Sequence, residues 1–171
     1  MPALSKFTTT YSESEDRLRL AGESADGVAN ATLWLTQRLM NRLVAAVTQW
    51  LEADARAQAP YSLDARLHNA FAQEAATRQL EPSAPVAVRP ESPPLLVTSV
   101  NLRREDDLYV VVFLVAGDTS APAFIRFSST GLRQWLGIVH GLYHAADWPL
   151  AVWPEWFDRK GDAVPQVAVL H

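Results

Sequence analysis

The sequence contains no cysteine, and this absence excludes several kinds of site at once. Without thiols the chain can form no disulfide, no thiolate-ligated metal centre and no cysteine nucleophile. Disulfides are rare in the cytosol, so a chain without cysteine is compatible with that compartment. We therefore expect a cytoplasmic protein.

Long apolar runs are also missing. Residues 1–17 are rich in Ser, Thr and Glu and lack the apolar stretch of a signal peptide. No segment approaches the ~20 apolar residues that a membrane-spanning helix needs. The sequence thus predicts neither a cleaved leader nor a membrane span.

Positive charge is scarce, with 15 basic against 19 acidic residues, a net charge of −4 and a pI of about 5.5. Nucleic-acid affinity depends mainly on positive charge that faces phosphates, so nucleic acid is a disfavoured partner. Only Lys6 and Lys160 among the basic residues are lysines. This excess of arginine is typical of a GC-rich, bacterial-like composition.

Glycine is infrequent as well, and the 7 glycines form none of the glycine-dependent motifs of catalysis. Neither phosphate-binding pattern, GxGxxG or GxxxxGK[ST], occurs, and the GxSxG elbow of many hydrolases is absent. Dinucleotide-binding, kinase and hydrolase activities therefore have no support. We expect no cofactor, and the sequence favours a binding function over an enzyme activity.

Apolar residues, in contrast, make up 49% of the chain, which is enough for one compact core. The clearest local pattern is a strand over Asn30–Leu35 followed by a helix that Thr36 caps. Apolar residues then recur at three- and four-residue steps, as on one face of a helix ending near Pro60. The members of this stripe are Leu39, Leu43, Val47, Trp50 and Leu51.

The two parts of the chain share one order of elements. Three strands and a helix are predicted in residues 1–80, with a second, weaker helix over Ser62–Leu80. Three strands and a helix, then a last strand over Val164–Leu170, are predicted in residues 95–171. Between them, Glu81–Pro94 has five prolines and is predicted to be an extended connector. We expect an α+β protein: an antiparallel sheet with packed helices, built from two related βββα halves.

Of the predicted strands, residues 107–116 form the most apolar segment. Because both faces of this segment are apolar, we expect a central strand covered on both sides, with Val111 and Phe113 buried. The repeated order of strands and helix resembles the Whirly and Pur folds that bind single-stranded nucleic acids. That resemblance makes single-stranded nucleic-acid binding an alternative function.

The last helix carries His140, His144 and Asp147 at positions i, i+4 and i+7, on the face opposite its apolar side. Two histidines so spaced can share a metal ion, which a carboxylate can complete. A solvated face and a packing surface are the other interpretations. Gly137 and Gly141 lie on the same face and would allow another backbone to approach closely.

A short segment after this helix is dense in aromatic residues that prolines interrupt: Trp148, Trp153, Trp156 and Phe157. Such aromatics can stack on bases or bind a protein partner, and they can also close one end of a core. We expect an exposed patch, formed with Gly137 and Gly141, through which the protein self-associates as a homodimer. The sequence thus predicts a non-catalytic binding or assembly module; an enzyme or metal site at His140 and His144 ranks third.

Overall fold

The computed structural model describes residues 2–59, 61–117, 123–157 and 169–170. The strands are β1 (Ala3–Leu4), β2 (Lys6–Ser12), β3 (Arg17–Glu23), β4 (Asn30–Leu35), β5 (Leu95–Glu105), β6 (Leu108–Val115), β7 (Ala123–Phe127) and β8 (Val169–Leu170). The helices are α1 (Gln37–Gln58), α2 (Ser62–Arg78) and α3 (Ser129–Ala145), and a 3₁₀ helix spans Glu155–Phe157. The predicted α+β class is confirmed.

The eight described strands form one mixed sheet in the order β1-β7-β6-β5-β4-β3-β2-β8. β4 pairs with β5 in parallel, and so does β1 with β7, whereas the other pairs are antiparallel. β1 and β2 are separated only by Ser5, yet they pair with different flanks of the sheet, so the sheet curls into a nearly closed barrel. The prediction of a purely antiparallel sheet was therefore incomplete. The alternation of apolar and polar residues along a strand does not show which distant strand pairs with it or in which direction.

The strands arise where apolar residues alternate. In β3, Leu18 and Leu20 are fully buried while Arg17 and Arg19 point to the other face. β6 lies between β5 and β7 and buries both of its faces, Val111 and Phe113 on one and Val110 on the other. The prediction of a central strand with buried Val111 and Phe113 is confirmed.

Two helices pack against the sheet. The Oγ1 atom of Thr36 accepts a hydrogen bond from the N–H of Leu39 and begins α1, as predicted. Ser128 caps α3, because its Oγ atom accepts a hydrogen bond from the N–H of Gly131. α3 lies over β2 and β7: the Trp135 indole stacks on Phe127 and donates to Thr9 at 3.1 Å.

α2 packs on α3 with the face that the sequence pattern assigned to solvent. The sequence pattern predicts that the narrow apolar stripe of α2 faces inward; its members are Leu63, Leu67, Ala70 and Phe71. Ala70 is buried, but Leu67 and Phe71 are 39% and 58% exposed. The other buried side chains of α2 are small or polar: Ala65, Asn69, Gln73 and Ala76. The prediction was wrong for Leu67 and Phe71 because α2 meets a polar face of α3, where hydrogen bonds and close approach decide the orientation.

The connector Glu81–Pro94 contains no helix or strand and lies against the sheet. Val86 is buried, and its N–H donates to the Thr8 hydroxyl at 2.8 Å. Arg89 donates to the carbonyl of Gly27 at 2.7 Å. Prolines remove backbone donors from the connector. Each of these two hydrogen bonds uses one side chain, the Thr8 hydroxyl of the sheet in the first and Arg89 of the connector in the second. Of the predicted last strand, residues 164–168 lie outside the described part of the chain.

Candidate binding cavities

The aromatic segment after α3 lies in the core. Trp148, Trp153, Trp156 and Phe157 are each between 5% and 9% exposed. The Trp153 ring packs edge-on against Tyr143 and Phe157, with ring centroids 5.4 and 4.8 Å apart. The prediction that these residues form an exposed patch is therefore wrong, because the 3₁₀ helix folds them back over α3.

Hydrogen bonds hold this segment at both ends. The Trp148 Nε1–H donates to Asp16 at 2.9 Å, and this bond, together with one from Tyr11, lowers the pKa of the Asp16 carboxyl. The Trp156 Nε1–H donates to Glu52 of α1 at 3.2 Å. The segment thus closes one end of the core and ties α3 to α1 and to the β2–β3 hairpin.

The two histidines of α3 lie in different surroundings. His140 is half-buried, and its ring centroid lies 4.8 Å from those of His144 and Trp153. His144 and Asp147 are exposed. Within the described part of the chain, no three His, Asp or Glu side chains are grouped closely enough to hold a metal ion. Neither of the two cavities described below has His140 or His144 in its wall.

Gly137 is a site of close approach, and the element that approaches belongs to the same chain. A Cβ atom at Gly137 would lie 3.3 Å from Nε2 of Gln73 in α2. That Gln73 nitrogen donates to the backbone carbonyl of Arg133 at 2.8 Å. α2 therefore occupies the surface at Gly137 that we expected a second chain to use. Gly141, one turn further along α3, is half-buried.

The larger cavity, about 610 Å³, opens between α1, α2 and the 3₁₀ helix. Apolar side chains form much of its wall: Ala65, Leu67, Ala70, Trp153, Pro154 and Trp156. Its polar wall residues are Glu52, Arg56, Arg66, Asn69 and Glu155. The Nε1–H of Trp153 is buried and has no acceptor among the described residues. An apolar hollow with a few polar groups is the usual form of a ligand site.

The smaller cavity, about 390 Å³, lies between the C-terminal end of α1, the middle of α2, the start of α3 and the β5–β6 hairpin. On its wall, the Asp54 carboxylate accepts hydrogen bonds from the Tyr109 hydroxyl and from Arg104, the latter at 2.7 Å. The Arg104 guanidinium also lies 4.4 Å from the Tyr109 ring centroid. Burial, with the bond to Asp54, raises the pKa of Tyr109 to about 12, so this phenol stays protonated.

Arg133, on the wall of the same cavity, is only 5% exposed. Its Nη2 donates to Oδ1 of Asn69 at 2.7 Å, and its Nη1 reaches the Asn69 carbonyl at 3.4 Å. Arg133 lies on the same polar face of α3 as Gly137 and His140. α2 covers the part of this face near Arg133, whereas His144 at the other end of α3 is exposed. One part of the face is therefore a packing surface and the other part is in contact with solvent.

Comparisons with protein-family models, with curated proteins and with solved structures found no match to this chain. Among the helices that the structure describes, none combines the length and apolar composition needed to cross a membrane. The candidate site therefore rests on the two cavities and their chemistry alone. The cytoplasmic location and the absence of a cofactor stay predictions.

Sequence reasoning missed both cavities. Leu67, Asn69 and Trp156 come from elements far apart in the chain, and no motif connects them. One signal was present: Asn69 and Gln73 stand four residues apart in a helix whose apolar stripe is narrow. Polar side chains at that spacing share a face and would have indicated a helix that packs through hydrogen bonds.

Proposed function

We propose that this protein is a non-catalytic binding module, and that the larger cavity holds an apolar or ring-shaped group of a small ligand. The observation that carries the proposal is the cavity of about 610 Å³ walled by Trp153 and Trp156. Ligand cavities commonly measure about 300–1,000 Å³ and are lined mainly by apolar side chains. Leu67, exposed at the rim, gives such a ligand further apolar area.

The polar wall supports a ligand that also carries hydrogen-bonding atoms. The side chains of Arg56, Arg66 and Glu155 lie on this wall and can donate to, or accept from, such atoms. The Glu52 carboxylate is held by Trp156, which keeps this wall in one arrangement.

Titration with N-phenyl-1-naphthylamine, an uncharged ring-bearing dye that fluoresces in apolar sites, tests this proposal. We expect saturable enhancement with the wild type, and binding weakened about tenfold or more in Leu67→Glu, because a carboxylate replaces apolar wall. Val28→Glu is the matched control: it makes the same apolar-to-acidic change at an exposed turn, outside the cavity wall and away from the exposed apolar side chains of α2. Equal weakening in both variants, or no saturable signal, would contradict the proposal.

Self-association is a second candidate, favoured by the exposed apolar side chains of α2. Tyr61, Leu67 and Phe71 are all exposed along this helix, and exposed apolar patches commonly mark interfaces. A symmetric dimer in which two copies of α2 meet would cover both patches. This surface replaces the aromatic segment as the place where a homodimer would form.

Sedimentation at micromolar concentration tests the dimer. We expect a species heavier than the 18.9 kDa monomer for the wild type and a monomer for Phe71→Glu, since like charges would face each other across the two-fold axis. Val28→Glu, an equally apolar-to-acidic change at an exposed turn, should leave the dimer intact. A monomeric wild type would end this idea without affecting the cavity.

We also propose that the two halves are related as two βββα units. β2-β3-β4-α1 and β5-β6-β7-α3 follow the same order, and each begins with an antiparallel hairpin. The residues at the two hairpin turns, Asp16 and Asp106, both have positive φ, 48° and 51°. Aspartate is among the few residues that adopt this conformation readily. Matching turn geometry at matching places supports a shared origin.

A further inference from the structure

The smaller cavity, about 390 Å³, carries a charge arrangement that the proposed function does not use. Arg133 is a buried cation on its wall. A guanidinium has five N–H donors and keeps its charge in proteins. Only two hydrogen bonds from Arg133 are made within the described residues, and both go to neutral oxygens of Asn69.

The guanidinium of Arg133 lies over the ring of Trp156, with its central carbon 5.6 Å from the ring centroid, and it has no anionic partner among the described residues. Its Nε atom is buried and bonded to no acceptor, and no carboxylate of the described residues forms an ion pair with it. Burial lowers the pKa of Arg133, because desolvation penalises the charged form. A buried charge is normally paired, since an unpaired one costs several kcal/mol. The surroundings of Arg133 therefore lack a negative group.

The acidic residues on the wall do not supply it. The Asp54 carboxylate is occupied by Arg104 at 2.7 Å and by the Tyr109 hydroxyl. Asp107 lies in the β5–β6 turn, where it is exposed to water. Asp54 therefore favours the charge of Arg133 only through space, and no carboxylate of the described residues is bonded to the guanidinium.

The beginning of α3 adds to the positive field. Ser129 is the first residue of this 17-residue helix and lies on the cavity wall four residues before Arg133, on the same side. The first N–H groups of a helix have no partner within the helix and carry partial positive charge. Anions bind well where such groups and a guanidinium converge.

We propose that this cavity binds a small oxyanion, the carboxylate or phosphate group of a ligand, between Arg133 and the N-terminal end of α3. The oxyanion supplies the negative partner that Arg133 lacks. Beyond their bonds to Asn69, Nη1 and Nη2 of Arg133 each keep one further N–H that can donate to either anion. The site is independent of the larger cavity and would remain if that cavity bound nothing.

Calorimetric melting of the full chain with sodium phosphate, and separately with sodium acetate, tests the proposal at constant ionic strength. We expect a saturable rise in Tm of about 5 °C or more once the anion exceeds its Kd about a hundredfold. A response to phosphate alone would identify a phosphate group, and responses to both would support a site open to either oxyanion. No saturable rise with either anion would overturn the proposal.

Three variants separate this site from the general stabilising effect of phosphate salts. Arg133→Met removes the charge and should abolish the saturable rise, while Arg42→Met makes the same change at an exposed position of α1 and should retain it. Ser129→Asp places a carboxylate at the exposed start of α3. It should raise Tm without phosphate and weaken the phosphate response about tenfold or more, because the new carboxylate competes with the ligand.

Ser129→Asp also keeps the test decisive if Arg133→Met fails to fold. Its substituted position is exposed, and an acidic residue in the first turn of a helix is compatible with folding. A phosphate response in Ser129→Asp equal to that of the wild type would overturn the proposal. So would an unchanged response in a folded Arg133→Met protein.

Discussion

Phe113→Ala is expected to lower the free energy of unfolding by about 3–5 kcal/mol, the usual cost of truncating a buried phenylalanine. Phe113 is fully buried in β6 and lies between Val100 of β5 and Ala123 of β7. Helices pack on that side of the sheet, so the void left by the ring could close only by moving several elements. Urea unfolding followed by circular dichroism measures the loss.

Leu96→Ala is the control for this substitution. Leu96 lies in β5 but is 40% exposed, so its truncation should change stability by no more than about 0.5 kcal/mol. A loss below about 1 kcal/mol for Phe113→Ala would mean that β6 is not the centre of the sheet. Equal losses of stability in Phe113→Ala and Leu96→Ala would lead to the same conclusion.

Trp153→Ala is expected to cost about 3–5 kcal/mol as well, the range for removing a buried tryptophan. The ring is 6% exposed and packs edge-on against His140 and Tyr143 of α3 and against Phe157. Its removal would empty the space between α3 and the 3₁₀ helix. Had this tryptophan belonged to an exposed patch, the same change would have left the fold almost unaffected.

Trp153→Phe is the matched control, because it keeps an aromatic ring and removes the indole N–H. That N–H has no acceptor among the described residues, so no hydrogen bond of the free protein is lost. We expect a clearly smaller loss of stability than in Trp153→Ala, measured by urea unfolding with far-ultraviolet circular dichroism. A Trp153→Ala protein as stable as the wild type would show that the aromatic segment does not close the core.

The difference between α1 and α2 shows where sequence patterns succeed. α1 has a wide apolar stripe that faces the core, and Leu39, Leu43, Val47 and Leu51 are all buried as the pattern predicts. α2 has few apolar residues, and packing places Leu67 and Phe71 outward because Asn69 and Gln73 find hydrogen-bond partners in α3. The periodicity of apolar residues predicts which face of a helix is buried only when the burial of apolar area is the largest contribution to the free energy of packing.

The aromatic segment shows a second limit. The large apolar side chains of Trp148, Trp153 and Trp156 favour burial. An interface with a partner and the chain's own core would both bury them. The choice depends on whether the 3₁₀ helix can return to α3, where Tyr143 and His140 receive the rings. That contact depends on how the whole chain folds and cannot be read from the residues of the segment alone.

The sequence by itself determined the α+β class, the burial of both faces of β6, the boundaries of α1 and the irregular connector. These features follow from local causes: alternation of apolar residues, the Thr36 cap and five prolines in one segment. The tertiary structure alone decided the curl of the sheet, the orientation of α2 and both cavities. Each of these depends on contacts between residues distant in the chain, such as Arg133 with Asn69. The free energy of such contacts arises only once the elements have packed together.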